Sequence, residues 1–311
     1  MNIRPYVQLA RPSHWLKNAF MVPGILIAVF FRPGLLSFDT VGGVLLGLVS
    51  ACLTASSNYV LNEILDAERD RHHPDKGSRP LASGEARKSV AYVLWLVLAL
   101  AGVGLGFLLN VPFGLACLAL WGMGLLYNVP PIRLKDQPYL DVLSEAVNNP
   151  IRLAMGWYST GLGKAPPLSV AVAYWMFGCY LMAVKRFAEY RRIAHPETAA
   201  RYRSSFAFYT DERLLESIMF YAASFAMTSA IFMTRYCIEL VLAVPLVAFS
   251  MAYYLHLGFK PDSPVQHPER LFHQKKLMAL VMGTFVLCAL LLFLDLPGFR
   301  GLFDPWITRG G

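Results

Sequence analysis

The run VGGVLLGLVSACLTASSNYVL, residues 41–61, passes without a proline into NEILDAERDRHHPDKGSRPLASG, residues 62–84. The first stretch carries no charge and has about the 20 residues that an α-helix needs to cross a bilayer's hydrocarbon. The second opens with Asn62, Asp66 and Asp70. The spacing i, i+4, i+8 drifts only about 40° per step around a helix, so all three share one face. Oxygen-bearing side chains stacked at the end of a membrane helix repel one another unless a cation lies between them. Magnesium, held by carboxylates and completed by phosphate oxygens, suits that place. The expected metal ligands are Asn62, Glu63, Asp66 and Asp70.

The rest of the chain repeats the apolar half of this pattern. Of 311 residues, 56% are hydrophobic and 15% charged, with mean hydropathy +0.46, whereas soluble domains carry about a quarter charged residues. Segments of membrane-spanning length predict nine helices over 15–31, 41–63, 90–109, 111–127, 140–158, 168–187, 214–234, 236–257 and 276–294. The expected fold class is an all-α integral membrane bundle, one polytopic domain over 1–311. Arg4, Pro5, Arg11 and Pro12 near the start suit an amphipathic lead-in helix better than a cleaved signal peptide. The five cysteines all lie in apolar stretches without paired metal spacing, and no disulfide framework is expected.

Charge orients the bundle. With the N-terminus in the cytoplasm, the segments 1–17, 64–89, 128–139, 185–213 and 258–276 face inside, and they hold 22 of the 28 Lys and Arg. Only Arg32, Lys164, Arg235, Arg300 and Arg309 fall on the other face. Positive loops stay inside, which predicts N-terminus in and C-terminus outside, with the chemistry on the long polar cytoplasmic loops; the expected location is a bacterial-type inner (plasma) membrane. The same rule accounts for the net charge of +8, so that charge is no sign of a nucleic-acid partner.

Polar residues recur inside later segments. Asp141, Glu145, Asn148 and Arg152 follow helical spacing, with Asn149 beside them, and a polar face within a membrane segment marks a cavity or a buried ion pair. Two acidic helix ends on one side of a membrane suit a diphosphate, whose developing charge magnesium neutralises while Lys or Arg complete the clamp. Arg71, Lys76, Arg79, Arg133 and Lys135 are the nearby cations. A third knot, Lys185, Arg186, Glu189 and Arg192, with Tyr209 further on, reads either as a cationic helix collar or as a second phosphate contact. Trp15 and Lys17 open the first segment as interfacial anchors, and Lys17 is placed to meet a lipid phosphate. His72 and His73 are adjacent and lack zinc spacing; His73 is read as a hydrogen-bond partner of phosphate or hydroxyl.

Asn62-x-x-x-Asp66-x-x-x-Asp70, Arg79-Pro80-x-x-x-Gly84 and Asp141-x-x-x-Glu145 resemble the aspartate-rich motifs of the UbiA superfamily of intramembrane prenyltransferases. That resemblance spans essentially the whole chain. It implies a nine-helix bundle with cytoplasmic cap loops and a magnesium-dependent ionisation of a diphosphate beside a tunnel for a polyprenyl chain. Trp15-Leu-Lys17-Asn18, Asp70-Arg71-x-His73-Pro74-x-Lys76 and Lys185-Arg186-x-Ala188-Glu189 are similar to a phosphoribosyltransferase branch. There the donor is phosphoribosyl diphosphate (PRPP) and the acceptor a polyprenyl phosphate; a homo-oligomer is plausible in that branch. Glu63 stands where the pattern usually has Asp. The implied catalytic residues are Asp66, Asp70 and Asp141. The implied substrate contacts are Lys17, Arg71, His73, Lys76, Arg79, Tyr127, Lys135, Glu145, Asn149, Arg152, Lys185, Arg186, Glu189 and Tyr209. The alternatives are a prenyl-diphosphate:aromatic prenyltransferase of the same fold and, from another class, a transporter.

Overall fold

Ser37 starts the longest helix. Its hydroxyl accepts the Thr40 N–H at 3.3 Å, Asp39 lies in the first turn where the helix dipole favours negative charge, and α3 (Phe38–Asp70) then runs 33 residues. That is about 50 Å of helix against ~30 Å of hydrocarbon, long enough to carry the polar end clear of the apolar layer. The expected end at residue 63 gives way to Asp70 because Ile64 and Ala67 stay buried against Tyr6, Leu9 and Leu81, so packing holds the charged turns helical. The computed structural model describes residues 3–71, 76–193, 203–266, 271 and 273–303. His72, His73, Pro74, Asp75 and Arg201 lie outside them. Among the described residues every regular element is helical.

Backbone contacts divide the chain into two compact units, Met1–Pro166 and Pro167–Gly311. In the first, α1 (Arg4–Ala10) ends at Arg11, whose left-handed φ of 47° precedes Pro12. A 3-10 helix, Pro12–Met21, follows and leads into α2 (Val22–Phe31). This stepped path replaces the single helix expected over 15–31. Helices α4 (Lys88–Leu109) and α5 (Val111–Asn128) pack on α3. The Asn110 side chain caps α5, accepting the Phe113 N–H at 2.9 Å, and donates to the Tyr158 carbonyl at 3.0 Å.

The segment expected as one helix over 140–158 is two: α6 (Leu140–Ala146) and α7 (Asn148–Ser159). Pro150 has no N–H for the Ala146 carbonyl four residues back, and the Asn148 side chain instead donates to Glu145 O at 3.1 Å. Helix α7 lies flush on the first segment through two glycines. A Cβ on Gly156 would collide with the Met21 carbonyl, and one on Gly24 with the Leu153 carbonyl. Met21, Ala51, Phe113, Cys117, Leu120 and Met155 close the core there.

The second unit pairs α8 (Leu168–Ile193) with α9 (Asp211–Tyr236), which Thr210 caps through the Arg213 N–H at 3.2 Å. A 3-10 turn, Ile238–Ala243, then feeds α10 (Val244–Gly258), and α11 (Lys275–Phe293) packs beside it. Tyr180 donates to Met251 O, and the Ser250 and Thr284 hydroxyls meet at 3.0 Å. Among the described residues, eight helical segments are long and apolar enough to cross a membrane; the short α6 and α7 stand where a ninth was expected. The chain is a multi-pass membrane protein. All five cysteines are free.

Candidate active site

The polar end of α3 meets the loop between α5 and α6. Arg133, at a left-handed φ of 32°, turns the chain so that its own side chain and that of Lys135 point back at α3. Arg133 donates to Asp66 Oδ1 at 2.7 Å, and the Lys135 ammonium lies 2.8 Å from both Asp66 oxygens. The same ammonium donates to Asn62 Oδ1 at 3.1 Å and Asn128 Oδ1 at 3.0 Å. Asn128 is aimed by its own amide, whose Nδ2 donates to Gly124 O at 2.9 Å. Lys135 is therefore 8% exposed, caged by four oxygens from α3 and α5. Burial pushes its ammonium down to about 8, with Asp66 opposing that fall. A second layer steadies the cage: Asp136 accepts from Arg133 Nε at 2.8 Å and from Arg69 at 3.4 Å.

The cage is a test of whether a metal fits. Its donors are carboxylate and amide oxygens only, they already surround a cation, and hard divalent ions prefer such a set. Among the described residues no three His, Cys, Asp or Glu side chains gather as ligands by themselves. A magnesium ion at Asp66, Asn62 and Asn128 would thus draw its remaining ligands from water and from substrate phosphates.

Other expected residues separate from this point. Asp70 accepts from Arg79 at 2.6 Å. Glu63, 1% exposed, accepts from Arg11 at 3.2 Å and from the Leu81 N–H at 3.3 Å, which ties the lead-in segment and the 76–87 loop to α3. Arg71 donates to Glu68 and to the Ala82 carbonyl, and Lys76 is half-buried in the same loop. Tyr127 donates to Glu145 at 3.1 Å, while Asp141 is fully buried and Asn149 half-buried. Arg152 reaches Asn18 Oδ1 at 3.0 Å, fastening α7 to the first segment. Lys17 lies 5.9 Å from the centre of the Tyr59 ring. His73 falls outside the described residues.

In the second unit Glu189 accepts from Arg186 at 3.0 Å and has Lys185 at 3.9 Å. Arg186 is 1% exposed. Gln266 braces the helix below, donating to the Ala188 carbonyl and accepting from Arg192. Tyr209 is buried edge-on against Phe206. Asn128 and Asp136 were not among the sequence-derived residues. Neither stands in a periodic motif, and only the loop's reversal brings them to Lys135 and Arg133.

Residues 20–275 match the sequence model of the UbiA prenyltransferase family. Decaprenyl-phosphate phosphoribosyltransferase of Mycolicibacterium smegmatis is 31% identical over 210 residues, covering 67% of this chain and 63% of that protein. The enzyme of the same name from Corynebacterium glutamicum is 29% identical over 205 residues, covering 66% and 59%. The chain thus spans about three-fifths of the length of these relatives. A UbiA homolog from Archaeoglobus fulgidus, solved with GPP and Mg2+, superimposes with a TM-score of 0.70 at 21% identity over 92% of this chain and 99% of that one.

Proposed function

The chain belongs to the UbiA prenyltransferase family, and on that premise we propose that it transfers 5-phosphoribosyl from PRPP to a polyprenyl phosphate, releasing diphosphate. The observation that carries this reading is the convergence on Lys135 of Asp66, Asn62 and Asn128, with Arg133 also donating to Asp66. One carboxylate and two amides beside two cations suit a diphosphate that arrives with a divalent ion. The relatives named decaprenyl-phosphate phosphoribosyltransferase support the choice of donor and acceptor.

Asp66, Asn62 and Asn128 would hold magnesium, which supplies a positive charge to the diphosphate leaving group when bound. Arg133 and Lys135 donate hydrogen bonds to the diphosphate oxygens, and Arg79, kept in place by Asp70, adds a third cation with Lys76 in the same loop. The bond between the anomeric carbon and diphosphate breaks as positive charge grows on the ring, as in glycosyl transfer generally. Glu145, held by Tyr127, and Asp141 bind ribose hydroxyls. An oxygen of the lipid phosphate, already anionic, forms the new bond without a general base. In the second unit, Lys185 and Arg186 are proposed as anion contacts ordered by Glu189. The enzyme would work from the cytoplasmic face of the inner membrane.

Membranes containing the chain, given labelled PRPP, polyprenyl phosphate and magnesium, are expected to yield a labelled lipid. No labelled lipid, together with prenylation of a hydroxybenzoate from a prenyl diphosphate, would overturn the reading in favour of aromatic prenyl transfer.

A further inference from the structure

Over Pro12–Met21 the backbone is a 3-10 helix, in which residues three apart stand in line at intervals of about 6 Å. This sorts the segment into three rows. Ser13, Leu16 and Ala19 form an exposed row. Asn18 and Met21 reach inward, Asn18 to Cys52 Sγ at 3.2 Å and Met21 into the core, while Trp15 in the same row stays exposed and donates to Ser56 Oγ at 2.9 Å. The third row starts at the segment's cap and is basic: Arg11, His14, Lys17. An α-helix would rotate these three by about 60° at each step and scatter them.

All three meet one ring. Tyr59 of α3 has the Arg11 guanidinium 5.8 Å and the Lys17 ammonium 5.9 Å from its centre, and the His14 imidazole edge-on at 5.1 Å. The negative face of the ring attracts the Arg11 and Lys17 cations, yet gathering the two costs repulsion that an anion would relieve. Glu63 offsets Arg11 at 3.2 Å; Lys17 makes no ion pair among the described residues. Tyr59 precedes Asp66 by seven residues, two turns along the same helix face, and so lies about 10 Å further into the apolar part of α3. Exposed Trp15 and Leu16 flank the row on a membrane-length segment.

We propose that Arg11, His14 and Lys17, arrayed on Tyr59, bind the phosphomonoester head of a prenyl-chain lipid. A phosphomonoester carries more charge than the phosphodiester of a bulk phospholipid and matches the basic row better. The position, on the apolar side of the Asp66 cage, suits a phosphate that arrives on a lipid tail. This site rests on the reading above for its part in the reaction, as the place of the acceptor, but its test needs no turnover.

The measurement is the binding of geranylgeranyl phosphate to the purified full chain in neutral detergent, by titration calorimetry, with geranylgeraniol as the uncharged control. Lys17→Met is expected to weaken geranylgeranyl phosphate about tenfold while leaving geranylgeraniol unchanged, and Lys17→Arg to restore most of the loss. Equal affinity of wild type and Lys17→Met for the phosphate would overturn the site. Competition by inorganic phosphate at similar concentration would overturn its lipid assignment. So would equal competition by a phosphatidylglycerol, which would make the row a general membrane anchor. Lys17-dependent binding without any phosphoribosyl transfer would leave the phosphate site standing and sink the transfer reading.

Discussion

Asp66 is the residue on which most of the site's charge closes. It accepts from Arg133 and Lys135, so Asp66→Asn removes the charge that both cations and any divalent ion share. Magnesium-dependent transfer is expected to fall about 100-fold or more, measured as labelled lipid formed per minute; near-full turnover would sink the metal assignment. Glu63 makes the opposite case. It adjoins Asn62 in sequence, but one residue is a 100° turn of helix, and that turn faces it to Arg11 and the Leu81 N–H. Glu63→Gln is expected to lower stability by about 1.5–3 kcal/mol, the range for a hydrogen bond to a charged group. The magnesium concentration for half-maximal activity should stay within about twofold, since the side chain is outside the cage. The polar face at 62, 66 and 70 was legible because helical periodicity is written in the sequence. Asn128 was not, because its part depends on a loop that doubles back seven residues to Lys135.

Among the elements, α7 shows how packing depends on what is missing. Gly156 and Gly24 let backbones touch where any side chain would collide with a carbonyl, a close approach that membrane helices exploit through small residues. Gly156→Leu is expected to separate α7 from the Pro12–Met21 segment and to abolish a monodisperse peak in size-exclusion chromatography of the detergent extract, with Gly156→Ala milder. The apolar spans were legible from length and composition. The 3-10 path of the first segment was not, since it follows from the left-handed Arg11, Pro12 and three rows of differing burial that only the assembled unit distinguishes. The break at 147 departs from the single helix expected over 140–158; its cause lies in Asn148, Asn149 and Pro150, and α6 and α7 remain helical on either side of it.

At the scale of the whole molecule, the distribution of Lys and Arg makes a topological prediction. With the five native cysteines free and four of them buried, introduced cysteines should report their side of the membrane above a low background. Lys164→Cys in intact spheroplasts is expected to react with a membrane-impermeant maleimide, and Lys76→Cys to react only after lysis; the reverse pattern would invert the proposed orientation. The fold class and the membrane spans follow from hydropathy because each span must satisfy its own backbone in lipid. The division into two contact units does not, for it depends on which helices pair rather than on how apolar each one is.

The caged Lys135 has a practical consequence for handling the protein. Asp66 and its amide neighbours are never bare: the chain supplies its own counter-ion. Chelator treatment should therefore stop turnover without loosening the fold, leaving the melting temperature within about 2 °C. Added magnesium would restore activity after storage, much as a key restarts an engine left in neutral.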